Sequence, residues 1–147
     1  MEQIKIENYI KDNPNKSFPY WSELDSEACG KIRNTIIRKL QLISDISDID
    51  LMKTIEKRGA FKGFIDIDNI ENTKKVLLTS LPTTDNELIY INWYRINKID
   101  QMYLQDLIDN FDDIWYPSVD DIDVINTTIS WIFSISHFGG IKIIQLD

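Results

Sequence analysis

A chain of 147 residues that is 43% hydrophobic and 27% charged, with five glycines and four prolines, holds enough apolar side chain for a single globular domain over residues 1–147 and is too apolar for disorder. Its one cysteine, Cys29, excludes an internal disulfide, a thiolate zinc cluster and a CxxC redox pair, and no apolar run approaches the ~20 residues that span a bilayer. The net charge of −8 argues against nucleic acid and anionic membranes as partners; residues 1–98 balance 15 Lys/Arg against 15 Asp/Glu, whereas residues 99–147 carry nine Asp and one Lys, Lys142.

The opening MEQIKIENYIKD mixes charged and apolar residues, unlike a signal or transit peptide, so a soluble cytoplasmic protein is expected. Ile4, Ile6, Tyr9 and Ile10 predict one apolar side of a first helix over 2–11, stopped by Asn13-Pro14. In the linker that follows, Phe18, Tyr20 and Trp21 are expected to plug the edge of the core. A long helix is predicted over 26–43, capped by Asp25, with Ala28, Ile32, Ile36, Leu40 and Ile43 recurring every three or four residues. Lys31, Arg33, Arg38 and Lys39 fall opposite that stripe, without the interleaved aromatics of a nucleic-acid surface, and read as a solvated face.

Ser47 or Asp48 begins a short helix that Gly59 ends, and FIDID at 64–68 predicts a short edge strand. Asp66 and Asp68 have the spacing of carboxylates that hold a divalent cation, but no phosphate-cradling element accompanies them. Strands are predicted at 74–79 and 87–95 around the turn SLPTTDN, the second with both faces apolar and therefore central in a sheet. Asp100 is expected to cap a helix IDQMYLQDLIDNFDD that buries Ile99, Tyr103, Leu104, Leu107, Ile108 and Phe111 and exposes Asp106, Asp109, Asp112 and Asp113. No Lys or Arg stands at i+3 or i+4 to neutralise those four carboxylates. After Tyr116-Pro117, a strand at 121–126 leads to an antiparallel hairpin, TISWIFSIS and IKIIQL, turned at Gly139-Gly140. One side of this sheet should meet the helices and the other should be partly wet. The fold class expected is α+β: N-terminal helices packed on a mostly antiparallel sheet with a C-terminal β-hairpin.

Chemistry is sparse. His137 is the only histidine, and strict alternation would place Ser134 and Ser136 on the face opposite it, with no GxSxG elbow. Cys29 reads as packing. The aspartates of the last third do not match a calcium loop, so neither a metal nor another cofactor is expected, although an Asp-cluster hydrolase or transferase remains as an alternative, as does a generic interaction module. A binding surface uses the same residues more economically: Asp106, Asp109, Asp112, Asp113, Asp120, Asp121 and Asp123 for steering, and Trp115 and Tyr116 as aromatic anchors.

The pattern WYPSVDDIDVI followed by TISWIFSISHFGGIKII, in a small acidic α+β chain with no catalytic constellation, resembles bacterial immunity proteins of polymorphic-toxin and contact-dependent inhibition systems. The resemblance implies a non-enzymatic protein that binds one basic cognate toxin domain, commonly a nuclease, and occludes it. It supplies a role and no residues.

Overall fold

The computed structural model describes residues 1–83 and 85–146; position 84, in the expected SLPTTDN turn, and position 147 lie outside them. Seven strands form one antiparallel sheet: β1 (Trp21–Glu23), β2 (Ala60–Phe64), β3 (Leu88–Asn92), β4 (Ile99–Tyr103), β5 (Ile122–Asn126), β6 (Trp131–Ile135) and β7 (Gly140–Gln145), in the order β1-β4-β3-β5-β6-β7-β2. The helices are α1 (Gln3–Asp12), α2 (Ser26–Lys39), α3 (Asp48–Arg58), α4 (Ile70–Ser80), α5 (Leu104–Asp109) and α6 (Phe111–Ile114). This is an α+β fold with the expected C-terminal hairpin, β6–β7.

Period-two alternation gives each central strand two apolar faces, and both are covered. On one side Ile89, Ile91, Val124 and Phe133 pack with Leu77 of α4, Leu104, Leu107 and Ile108 of α5, and Phe111 and Ile114 of α6. On the other, Ile99, Ile125, Ile132 and Ile144 meet Cys29, Ile32 and Ile36 of α2 and Leu51, Met52 and Ile55 of α3. Helices therefore cover both faces, where the sequence suggested one. On this second face a cleft opens beside α3 and the hairpin turn.

Local rules account for the helix ends. Asp25 accepts from the Ala28 amide at 2.8 Å and Ser47 from the Asp50 amide at 3.1 Å, each satisfying a free amide of the first turn. Helix α2 stops at Lys39, short of the predicted 43. Gln41 turns left-handed, with φ of 55°, and the Leu42 amide reaches back to the Ile37 carbonyl at 3.0 Å, a left-handed cap that leaves Ile43 exposed.

Two predicted elements are replaced. Residues 74–79 form the last turns of α4 and not a strand: Asn69 caps the helix through the Asn72 amide, and Thr73 and Leu77, four apart, bury one side. A short apolar run such as KVLLT fits either period, and the cap decides it. Residues 99–103 form β4 and not a helix, because β3 is otherwise unpaired on that edge; the helical part begins only at Leu104. Asp100 consequently caps nothing. It is buried, pairs with the Met1 ammonium and accepts from Trp93 Nε1 at 2.7 Å. Tyr103, expected in the core, is exposed. The predicted edge strand lies four residues earlier than FIDID, at Ala60–Phe64, and is indeed the sheet's last strand.

Helix α1 turns a different side inward from the one its isoleucines suggest. Ile4 and Ile10 are exposed, whereas Tyr9 and the entire Lys5 side chain are buried, Lys5 at 0% exposure. Lys5 Nζ meets Asp120 Oδ2 at 2.5 Å and sits 3.8 Å from the centroid of the Tyr116 ring. Of the linker aromatics, Phe18 and Trp21 pack against the core and Tyr20 is exposed.

Candidate functional site

The structure divides the nine expected contact residues into three places. Asp106, Asp109, Asp112 and Asp113 stay together on α5 and α6. Burial, then the neighbouring Asp109, pushes the Asp106 carboxyl up; burial, then Asp112 and Asp12, does the same to Asp113, partly offset by Lys16 and Lys74. Asp106 and Asp109 repel each other, as do Asp112 and Asp113, and Asp109 and Asp112 are exposed.

Trp115, Tyr116 and Asp120 form a second group that belongs to the interior. Trp115 is 3% exposed, stacked on Phe111 at 5.3 Å, and its Nε1 donates to the Asp120 carbonyl at 2.8 Å. Asp120 Oδ2 also accepts the Tyr116 amide at 2.7 Å, and Tyr116 shields the Lys5 ammonium. The chain reversal after α6 uses these residues to close on α1, so Trp115 cannot serve as an exposed anchor. The seven aspartates and two aromatic residues expected on one surface are therefore not together: four lie on α5 and α6, three around the chain reversal, where Tyr116 is half-buried, and two at a cleft.

Asp121 and Asp123 belong to a third place, a cleft of about 380 Å³ on the α2/α3 side of the sheet. Met52 and Glu56 of α3, Phe61 and Phe64 of β2, Ser136, His137 and Phe138 of the β6–β7 turn, and Tyr94 line it together with Ser134 and the buried Asp123.

The aromatic wall depends on a bulge. Phe61 and Phe64, three residues apart, would face opposite sides of a regular strand. The register of β2 on β7 shifts between Phe61 and Gly63, so Phe61 pairs with Lys142 and Phe64 with Gly140, both on the cleft side. Gly63 permits this with φ of 133°, which a side chain would disfavour. The two rings meet edge-on at 5.1 Å and remain 55% and 65% exposed. Phe138 projects from the hairpin turn, 72% exposed, against His137 at 3.9 Å between centroids. Of the two glycines after it, only Gly139 is left-handed, with φ of 81°.

The polar groups are fixed with similar economy. Asp121 Oδ1 accepts the His137 amide at 2.8 Å and lies 2.9 Å from His137 Nδ1, orienting the ring. Asp123 accepts from Ser134 Oγ at 2.5 Å and from Asn92 Nδ2 at 3.0 Å. Burial pushes its carboxyl up to about 6, against the lowering effect of those two donors and helped by Asp121 and Glu56. Lys142 Nζ donates to the Glu56 carbonyl at 2.9 Å and stands 4.0 Å from its carboxylate. The Tyr94 phenol is pushed up by burial first, then by Glu56, Asp121 and Asp123.

His137 lies beyond the end of β6, so strand alternation does not govern it, and it lines the cleft together with Ser134 and Ser136 rather than opposing them. Ser136 Oγ instead accepts the Gly140 amide at 3.1 Å, and no serine hydroxyl bonds the imidazole among the described residues. Asp66 is exposed and bonds within its own loop and the following helix, accepting from the Asp68 amide and Asn72 Nδ2. Among the described residues, no three His, Cys, Asp or Glu side chains are grouped to hold a metal ion, and no helix is long and apolar enough to cross a membrane. The cleft aromatics escaped the sequence reading; the available signal was Gly63 between two phenylalanines on a strand.

A scan against protein-family models finds no match for the chain, and searches of curated proteins and of solved structures likewise find none.

Proposed function

We propose that this chain is an immunity or inhibitor-type protein that binds a basic cognate toxin domain in the bacterial cytoplasm and neutralises it by occlusion. The observation that carries this reading is the cleft, where Phe61, Phe64 and Phe138 stand exposed beside Glu56 and Asp121. Exposed aromatic rings grouped on a concave surface suit association, and the adjacent carboxylates select a positively charged partner. The α5–α6 aspartates add a negative field that accelerates the encounter. A nuclease fits this description well, since its substrate groove carries the positive charge such an acidic surface would cover. Mixing the purified chain with the protein encoded beside its gene tests the reading: a stoichiometric complex that abolishes the partner's activity and weakens with salt is expected. Free toxin activity at saturating inhibitor would reject it.

One observation favours a second reading, an acid–base hydrolase or transferase: the raised Asp123 carboxyl shares the cleft with the oriented His137. If that enzyme used a divalent cation, titrating Mg²⁺ or Mn²⁺ into the protein would release saturable heat; none at millimolar metal would remove the metal-dependent form.

A further inference from the structure

We infer that the cleft beside the β6–β7 turn is a receptor for an arginine side chain presented by the partner protein. The inference rests on the basic partner proposed above and names the group it inserts. Three features converge on a guanidinium.

The first is shape and surface. Phe61, Phe64 and Phe138 all line the cleft, and all three rings are more than half exposed, although aromatic side chains of this size normally gain by burial. A planar cation can lie against such rings, gaining cation–π attraction at its face while its alkyl stem covers apolar surface. The second is charge. Glu56, Asp121 and Asp123 face the cleft, whereas Lys142 is its lysine and is already directed at the Glu56 carbonyl. A neutral apolar occupant would leave these carboxylates without compensation, and an anionic one would be repelled. The third is the availability of acceptors. Asp121 uses Oδ1 for His137, leaving Oδ2 without a hydrogen-bond donor among the described residues, and the Glu56 carboxylate, beside the Tyr94 hydroxyl and with Lys142 at 4.0 Å, keeps lone pairs for further donors. Two acceptors beside flat rings match the forked donors of arginine better than the single point charge of lysine.

The bulge at Gly63 gives this receptor its form. It places Phe61 and Phe64 on one side of an edge strand, which a regular register forbids, and leaves both rings in solvent, where they add little to the core. A local irregularity that exposes two aromatic rings is poorly explained by stability and well explained by contact.

The test is a titration of the folded chain with Nα-acetyl-arginine amide, followed by amide chemical shifts, beside Nα-acetyl-lysine amide and Nα-acetyl-norleucine amide. Saturable shifts centred on residues 56, 61–64 and 136–140 are expected with the arginine probe, at a Kd on the order of millimolar. Lysine should bind several-fold more weakly and norleucine should produce no saturable shift. Phe64→Ala and Phe138→Ala, at exposed positions, should each weaken the arginine response several-fold, and Glu56→Gln should do so without altering an aromatic ring. Equal responses to all three probes, shifts centred on residues 106–113, or no saturable response would each overturn the assignment. If the probe fails while a toxin is still neutralised by the Phe64→Ala/Phe138→Ala protein, the receptor falls and the inhibitor reading stands. If the probe binds and no toxin is neutralised, the reverse holds.

Discussion

Asp120 and Asp123 are three residues apart, both buried, and face opposite layers of the molecule. Asp120 has a full cationic partner in Lys5, with the Tyr116 amide and ring completing the enclosure. Asp123 has only neutral donors, Ser134 and Asn92, and lies under an open cleft. A buried charge paired with a cation serves to fix a chain reversal; one that is merely solvated by neutral dipoles is held at a cost. The α1 side of the sheet is therefore where this protein spends charge on structure, and the cleft side is where charge is left available.

The largest effect should come from breaking the paired side. Lys5→Met would leave Asp120 buried without its cation and is expected to cost about 3–5 kcal/mol in urea unfolding, with Lys5→Met/Asp120→Asn recovering most of it. A loss below about 1 kcal/mol would show that Asp120 is not held as described.

The unpaired side should respond with the opposite sign. The folded Asp123 carboxyl, at about 6, lies above its ordinary 3.8, so the native state holds this proton more tightly than the unfolded chain. The associated stability is fully present below the ordinary value and is lost as pH rises through about 6. Asp123→Asn should accordingly raise stability at pH 7 by about 1–3 kcal/mol and flatten the dependence between those two pH values. Unfolding curves that move identically with pH in both proteins would contradict this.

The exposed carboxylates should matter least to the fold. Asp109→Lys/Asp112→Lys is expected to change stability by less than about 0.5 kcal/mol and to slow association with a basic partner about tenfold at low salt, an effect that vanishes at high salt. Stopped-flow mixing at two ionic strengths distinguishes steering from contact: a change in dissociation rather than association would place these residues inside the interface.

Much of the architecture was legible before folding. Asp25 and Ser47 act as helix caps, Leu88–Asn92 is central because both its faces are apolar, and the hairpin follows from alternation ending at a glycine turn. What was misread was long-range. Residues 99–103 are drawn into the sheet by the unpaired edge of β3, a demand that helical spacing of Ile99 and Tyr103 does not reveal. Lys5 looks like a surface residue until Asp120, distant in sequence, arrives beside it. Acidic residues close in sequence looked like one surface, but β5 turns Asp121 and Asp123 away from α5 and α6, and Trp115 fills the layer between. The cleft aromatics were invisible for the same reason: their shared side exists only because of a bulge against β7.

The most direct test is amide hydrogen exchange with the proposed basic toxin partner bound. The account predicts added protection at residues 60–64, 136–140 and the last turns of α3, with α1 and the 115–120 reversal unchanged. Protection concentrated on α1 and α6, with the cleft residues exchanging as in the free protein, would contradict it.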